Sequence, residues 1–175
     1  MEENNTIKEA KAYLRANWHD GIECPCCTQF VKLYKVKLNT GMAYVLIQFY
    51  KAYLFKKPMA QDKWVHPIKD FKTINGDYAK LRHWGLVEKM PEEETENKKT
   101  TDQEDDKKGS GYWRITEKGK LFVQKQIKVT SNALLFNNKC YGVTGKDIDI
   151  VEALRNKFSY SELMSRGFDD PFTNK

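Results

Sequence analysis

A cluster of three cysteines near the start of the chain has the residue types and spacing for metal or redox chemistry. Cys24 and Cys27 form a C-x-x-C motif with Cys26 inside it. Two thiolates at this spacing can share a Zn²⁺ ion or form a redox disulfide. A structural zinc site needs four ligands, and without a second C-x-x-C motif Cys140 or His19 would have to complete it through space. We therefore expect buried thiols with no metal or other cofactor, and keep zinc and redox chemistry as alternatives.

A second group of residues has the types expected at a nucleic-acid interface. The candidates come from a predicted short helix and its surroundings: Lys72, Thr73, Asn75, Lys80, Arg82, His83 and Arg114. Asn75, Lys80 and His83 are predicted on the exposed side of that helix, where asparagine can pair with adenine and lysine can reach guanine or phosphate. Lys72, Thr73 and Arg82 flank these residues and would mainly hold phosphates. Arg114, on a later strand, could point to the same side. Each is equally compatible with an ordinary solvent-exposed position, and His83 could simply be packed.

Charge is unevenly distributed along the chain. Within the net charge of +6, residues 28–90 have twelve basic and four acidic side chains. Residues 91–111 have the opposite balance, with eight acidic and four basic side chains and no aliphatic or aromatic residue, which predicts a long loop. The positive segment contains the candidate helix, where phosphate contacts would be needed. The acidic loop would repel phosphate, so four alternatives stay open. It swings away from DNA, mimics DNA, masks the basic face when no DNA is bound, or belongs to a surface that binds a protein.

Several classes of function lack their sequence signals. The chain has no P-loop, no G-x-G-x-x-G, no H-E-x-x-H and no G-x-S-x-G motif, so we do not expect an enzyme. No stretch approaches the ~20 apolar residues of a membrane span, and the N-terminus does not resemble a secretory signal. Four cysteines in 175 residues, three of them clustered, do not predict an extracellular disulfide framework. We expect a cytoplasmic protein with no membrane partner.

The elements that position the candidates begin with a predicted core helix at residues 40–55, after Asn39. Its apolar residues cover most of its circumference: Met42, Ala43, Val45, Leu46, Ile47, Phe49, Tyr50, Tyr53 and Leu54. A helix that is apolar on most sides is buried in a core. After a short extended piece, Pro67 suits the first turn of a brief helix with Ile68 and Phe71 facing inward.

The candidate helix follows, with strands on both sides of the acidic loop. Ile74, Tyr78 and Leu81 recur at spacings of four and three, which predicts one apolar face of an α-helix. Gly85 is placed to end that helix in a left-handed conformation. Leu86 with the residue after it, and residues 112–115 beyond the loop, have the composition of strands.

Polar residues predict the starts of the later helices. Thr116 is placed to cap a helix that begins at residue 117. Thr144 with Asp147, and Ser159 with Glu162, have the spacing of a capping box. The helix after the first of these boxes would have three apolar residues on one face: Ile148, Val151 and Leu154.

Two stretches carry a resemblance to a known family. The sequences DYAKLRHWGLVE at 77–88 and GYWRITEKGKLFV at 111–123 resemble the recognition-helix and wing segments of winged helix-turn-helix proteins of the MarR/PadR type. The chain as a whole resembles a group of phage and bacterial winged-helix proteins with a CPCC segment, a KLYK-x-KLN-x-x-MA segment and an F-x-Y-x-ELM end. The resemblance implies a DNA-binding core over about residues 39–126.

These observations together predict an α+β fold of three parts. Residues 1–38 would hold an N-terminal helix and the cysteines, 39–126 the winged-helix domain, and 127–175 a C-terminal strand and helices packed on it. We expect a phage-derived transcriptional regulator or DNA-associated factor that binds double-stranded DNA with a recognition helix near 73–83. The alternative is a winged-helix adaptor that binds a host or phage protein. The added helices would make a homodimer or cover the core of a monomer.

Overall fold

The computed structural model describes residues 6–55, 64–71, 76–91 and 111–167. These residues form helices and small antiparallel sheets, which agrees with the predicted α+β class. In chain order the elements are α1 (Ile7–Asn17), β1 (Ile22–Glu23), β2 (Phe30–Val31), β3 (Tyr34–Lys37), α2 (Thr40–Phe55), α3 (Pro67–Asp70), a 3₁₀ helix (Gly76–Trp84), β4 (Val87–Lys89), β5 (Trp113–Ile115), α4 (Glu117–Val123), β6 (Val129–Phe136), β7 (Lys139–Ile148), α5 (Ile150–Leu154) and α6 (Tyr160–Ser165). Within these ranges, no helix is long and apolar enough to cross a membrane.

The strands pair into three small antiparallel sheets. β1 pairs with β2, β4 pairs with β5, and the third sheet has the order β3–β6–β7. Val65 adds an isolated bridge to Trp113 on β5, and both N–H···O contacts of this bridge measure 2.8 Å. β3 comes from the predicted N-terminal part, whereas β6 and β7 come from the predicted C-terminal part. The two ends of the chain therefore share one sheet, where the sequence predicted only a single C-terminal strand.

The core is built around α2, as the sequence predicted. The Asn39 side chain accepts the Met42 backbone N–H at 2.9 Å and so satisfies one free donor at the start of the helix. Met42, Leu46 and Phe49 are at most 1 % exposed. The 3₁₀ helix, β5, α4 and α5 all pack against α2. Leu54 departs from the prediction, since it is 51 % exposed in the last turn, on a side that no described element covers.

The brief helix α3 is a single turn. His66 caps it, because its ring Nδ1 accepts the Lys69 backbone N–H at 3.4 Å, and Pro67 occupies the first position as predicted. Phe71 is buried, as expected. Ile68 is 67 % exposed, and its predicted inward position was wrong, because a helix of one turn can present only one side to the core.

The segment Gly76–Trp84 is helical as predicted, but it forms a 3₁₀ helix rather than an α-helix. A 3₁₀ helix has three residues per turn, so side chains three positions apart align. Tyr78, Leu81 and Trp84 therefore form the inner face: Leu81 is fully buried, Trp84 is buried and Tyr78 packs on the core. Ile74, which was predicted to share a face with them, lies outside the described residues.

Hydrogen bonds and a close backbone approach hold the 3₁₀ helix and α4 together around Gly85. Gly85 has φ +70°, the left-handed conformation predicted for the end of the helix. The Thr116 hydroxyl donates to the Gly85 carbonyl at 2.6 Å and accepts the Gly119 N–H at 3.0 Å, which caps α4 as predicted. A Cβ at Gly119 would lie 2.2 Å from the carbonyl oxygen of Leu86, so the close approach of the two backbones requires glycine. The start of α4 is thereby held beside the end of the 3₁₀ helix.

One predicted helix start in the C-terminal part was wrong. Thr144 and Asp147 lie within β7 and pair with β6, because the hairpin continues to residue 148. The capping box is made instead by Asp149 with the glutamate three positions later, at the start of α5. Of the three apolar residues predicted for this helix, Val151 is exposed and the other two are buried, one of them in β7. Ser159 caps α6, as predicted.

The three-residue face of the 3₁₀ helix gives a stability prediction. Leu81→Ala should lower the free energy of unfolding by about 2–5 kcal/mol, because it removes a fully buried side chain and leaves a cavity. Leu54→Ala is the matched control, since it shortens an exposed leucine and should change stability by no more than about 0.5 kcal/mol. Urea unfolding followed by circular dichroism measures both. Equal losses in the two variants would contradict the assignment of the inner face.

Candidate nucleic-acid interface

Four of the seven predicted contact residues lie in the described part of the chain. The residues that the structure places are Lys80, Arg82 and His83 on the 3₁₀ helix, and Arg114 on β5. Lys72, Thr73 and Asn75 lie outside the described residues. The acidic loop 91–111 also lies outside them, apart from its first and last residues. The site is therefore built from the 3₁₀ helix, the β4–β5 pair and α4.

Lys80 and Arg82 stand on different ridges of the 3₁₀ helix. Lys80 aligns with Asp77 and His83, and its ammonium group lies 2.7 Å from the Asp77 carboxylate. Arg82 aligns with Ala79, is exposed, and forms no ion pair with any described residue. Lys80 is therefore partly neutralised by its own helix, whereas the Arg82 guanidinium is available to a partner.

His83 is half-buried rather than fully exposed. Burial lowers the pKa of its imidazole, and the positive charges of Arg82 and Lys80 lower it further. The Cys140 sulfur lies 4.0 Å from the His83 carbonyl oxygen, which shows that β7 borders this ridge of the helix. His83 is therefore neutral near pH 7, with one ring nitrogen as donor and the other as acceptor.

Arg114 does not lie on the side predicted for it. Its neighbours on β5, Trp113 and Ile115, face the core, where Tyr78 of the 3₁₀ helix packs edge-on against Trp113. Side chains alternate along a strand, so Arg114 faces away from the 3₁₀ helix. There its guanidinium pairs with Glu88 and lies 4.3 Å from the centre of the Trp64 ring. Arg114 therefore stabilises the outer face of the β4–β5 pair.

Lys118 belongs to this surface, although it was not among the residues predicted from the sequence. It lies in the first turn of α4, is exposed, and forms no ion pair with any described residue. Its Cδ is 3.9 Å from the position that a Cβ at Gly85 would occupy. The feature of the sequence that could have indicated Lys118 is its position, two residues after the capping Thr116 and so in the first turn of a predicted helix. Only the contact between α4 and Gly85 brings it beside the 3₁₀ helix.

The acids of this surface are already neutralised. Three pairs account for them: Asp77 with Lys80, Glu88 with Arg114, and Glu117 with Lys120. Residues 76–90 and 111–128 together have eight basic and three acidic side chains, so five positive charges remain in excess within these segments. One of the five, Lys128, lies 3.9 Å from the Glu152 carboxylate of α5, so four have no acidic partner among the described residues. Segments with this excess have a positive potential, which attracts an anionic partner.

A second basic surface lies on β3, β7 and α5. A cavity of about 460 Å³ is lined by the cations Lys35, Lys37, Lys146 and Arg155 and by one acid, Glu152. The Glu152 carboxylate lies 2.9 Å from the Lys146 ammonium group. These cations are on other elements than Arg82 and Lys118, so they provide a charge-matched comparison for the first surface.

The cysteines are more exposed than the sequence predicted. Cys26, Cys27 and Cys140 are exposed and Cys24 is half-buried, because the strands around the cluster have only two residues each and leave the loop at the surface. The backbone N–H groups of Cys26 and Cys27 donate to the Cys24 sulfur and lower the pKa of its thiol. Within the described ranges, no three Cys, His, Asp or Glu side chains converge on a point that could hold a metal ion.

Comparison of the chain with models of protein families, with curated proteins and with solved structures finds no significant match. The winged-helix resemblance over residues 39–126 stays a prediction.

The lowered pKa of His83 predicts a pH dependence of stability. The unfolded imidazole, with a pKa near 6.5, takes up a proton before the folded one does. The unfolded chain thus binds more protons in this range, and stability should fall as the pH is lowered from about 7 to about 5. His83→Gln should reduce this fall, whereas the control His19→Gln removes an exposed imidazole that lies outside the 3₁₀ helix. Urea unfolding across this pH range measures the effect, and an unchanged slope in His83→Gln would contradict it.

Proposed function

We propose that the chain binds double-stranded DNA as a winged-helix protein, through the 3₁₀ helix and the start of α4. The observation that carries the proposal is the pair Arg82, three positions before Gly85, and Lys118, whose side chain lies beside Gly85; both are exposed and have no carboxylate partner among the described residues. DNA phosphates provide most of the affinity for such a surface. We propose further that the chain is a phage-derived transcriptional regulator or DNA-associated factor; a regulator's role requires that binding be specific for a sequence.

The order of the elements supports the winged-helix part of the proposal. α2, the Val65 bridge, α3, the 3₁₀ helix, β4 and β5 follow one another in the order of a winged helix-turn-helix. Across the small sheet, Trp113 of β5 lies between Val65 on one side and Lys89 of β4 on the other. The 3₁₀ helix occupies the place of the recognition helix, between the brief helix and the first strand of the wing.

The 3₁₀ geometry changes how this helix would meet DNA. At a rise of about 2.0 Å per residue, its nine residues span roughly 18 Å. One of its three ridges is buried and β7 borders the end of a second at His83, so the ridge of Ala79 and Arg82 would be the most open to the duplex. Arg82 supplies the free guanidinium, which can contact phosphate or the O6 and N7 atoms of guanine. Lys80 would exchange the Asp77 carboxylate for a phosphate, and the predicted reading of adenine by Asn75 stays a prediction.

Duplex binding at increasing salt tests the proposal. Fluorescence anisotropy with a random-sequence duplex should show affinity falling steeply between about 50 and about 200 mM salt, because each neutralised phosphate releases counterions. The double variant Arg82→Ala, Lys118→Ala should weaken binding. It should also make the log–log slope of affinity against salt shallower, by roughly the amount that two phosphate contacts contribute. The double variant Lys35→Ala, Lys37→Ala removes the same charge from the second basic surface and should keep the slope.

Each result decides between named surfaces and functions. No duplex binding at low salt would contradict the proposal and favour the winged-helix adaptor. If the Lys35 and Lys37 variant loses more affinity than the Arg82 and Lys118 variant, DNA binds at the cavity on β3 and β7 instead. Thermal melts of all variants distinguish a lost contact from a lost fold.

A further inference from the structure

The cavity of about 460 Å³ that is lined by residues of β3, β6, β7 and α5 has more cations than acids. Three of its cations, Lys35, Lys37 and Arg155, are exposed and form no ion pair with any described residue. The fourth, Lys146, lies 2.9 Å from the carboxylate of Glu152, the acid of the lining. Because that pair is neutral as a whole, the other three cations leave three positive charges for an anionic partner.

Two buried polar residues of β6 also line the cavity. Ser131 is 5 % exposed and Asn132 is 9 % exposed. The Asn132 amide donates to the Ser131 hydroxyl oxygen at 2.8 Å and to the Thr144 carbonyl at 3.1 Å. The Ser131 hydroxyl accepts the first of these bonds but donates to no acceptor among the described residues. Because a buried hydroxyl normally has a hydrogen-bond acceptor, the Ser131 proton is available to an anion in the cavity.

A β-bulge shapes this part of the sheet. The pairing of β6 with β7 shifts between Thr130 and Asn132, where β7 has one residue more than β6. A Cβ at Gly145 would collide with the Ser131 Oγ and the Asn132 Nδ2, so both polar side chains lie directly over the bulge. Bulges are over-represented beside functional sites, where they redirect side chains.

Arg155 lies at the cavity in a strained backbone conformation. It ends α5 with φ +50° and ψ +42°, in the left-handed region. Helices commonly end in this conformation at glycine, or sometimes at asparagine, because a Cβ makes it unfavourable. Strained residues of this kind cluster at sites that bind ligands. An arginine at this position destabilises the backbone but provides a guanidinium group to the cavity.

The size, charge and lining of the cavity indicate a small phosphorylated ligand. Sites for small molecules have volumes of about 300–1,000 Å³, a range that includes this cavity. Two phosphate groups carry about three negative charges near pH 7, which matches the charge of Lys35, Lys37 and Arg155. Among the described residues of the lining only Leu38 and Ile148 are apolar and none is aromatic, so no ring is placed to stack on a nucleobase. Phosphate groups are therefore the part of the ligand that this cavity can recognise.

We propose that this cavity binds a small molecule through two adjacent phosphate groups. The two lysines of β3 and Arg155 pair with the phosphate oxygens, and the Ser131 hydroxyl donates to one of them. The ion pair of Lys146 with Glu152 keeps the carboxylate of the lining from repelling the ligand. This proposal does not depend on the DNA-binding proposal.

Calorimetric titration of the full chain tests the proposal, with pyrophosphate as the probe. At about 150 mM salt, where long-range attraction is screened, we expect one pyrophosphate to bind per chain. Inorganic phosphate should bind about tenfold more weakly, because it lacks the contacts of the second phosphate group. Citrate presents its negative charge on planar carboxylates and should show a similar loss. An absence of pyrophosphate binding, or an equal affinity for citrate, would overturn the proposal.

Substitutions in the lining locate the site. Lys37→Ala and Arg155→Gly should each weaken pyrophosphate binding about tenfold, since each removes a charge-assisted contact. Arg155→Gly should melt at the same temperature as the unsubstituted chain or at a higher one, because glycine adopts the left-handed conformation without strain. The control Lys139→Ala removes an exposed cation from the other end of β7 and should keep the affinity. Unchanged binding in Arg155→Gly, or an equal loss in Lys139→Ala, would contradict the assignment.

Duplex binding distinguishes a small ligand from DNA at this cavity. Lys37→Ala should keep the salt dependence of binding to a random-sequence duplex while it loses affinity for pyrophosphate. If the same variant loses affinity for both, the cavity binds DNA phosphates, and the proposal of a small phosphorylated ligand is overturned.

Discussion

The docking of the Gly76–Trp84 helix through every third residue is the constraint on which the candidate interface depends. Leu81 is fully buried, and the Trp84 indole N–H donates to the Thr130 carbonyl of β6 at 2.7 Å. These contacts fix the rotation of the helix about its axis. Because a 3₁₀ helix repeats every three residues, fixing the inner ridge also fixes the two outer ridges. Arg82 is exposed for this reason, and Lys80 stands beside Asp77.

The second determinant is the balance of charge around that helix. Each acid in the helix, the β4–β5 pair and α4 has a basic partner, while Arg82 and Lys118 have none among the described residues. Exposed ion pairs of this kind contribute little to stability. Their larger effect here is on potential, since they neutralise carboxylates that would otherwise repel phosphate. The Arg114 pair also keeps that guanidinium on the outer face of the hairpin, away from the helix.

Features with a local cause could be predicted from the sequence. The apolar circumference of α2, Pro67 at the start of α3, Gly85 at the end of the 3₁₀ helix and the cap at Thr116 are all set by residues within a few positions. The strands β4 and β5 were predicted in the same way, from short apolar segments beside a turn or a loop.

Features that depend on distant residues could not be predicted. The sheet β3–β6–β7 pairs residues about 100 positions apart, such as Tyr34 with Leu135. No local sequence pattern predicts a pairing over that distance. The sequence did not distinguish a 3₁₀ helix from an α-helix, because a spacing of three positions, as between Tyr78 and Leu81, suits both. Lys118 joins the candidate interface only through the approach of α4 to Gly85. The exposed position of the cysteines follows from strands too short to show a pattern.

The charge state of His83 offers the most direct test of the proposed interface. In the free protein its pKa is lowered by burial and by the positive charges of Arg82 and Lys80. Phosphates bound at Arg82 would add negative charge nearby and favour the imidazolium form. NMR titration of the His83 imidazole with and without duplex DNA should therefore show a higher pKa in the complex. An unchanged pKa in a sample where DNA is bound would contradict the account and place the duplex elsewhere on the molecule.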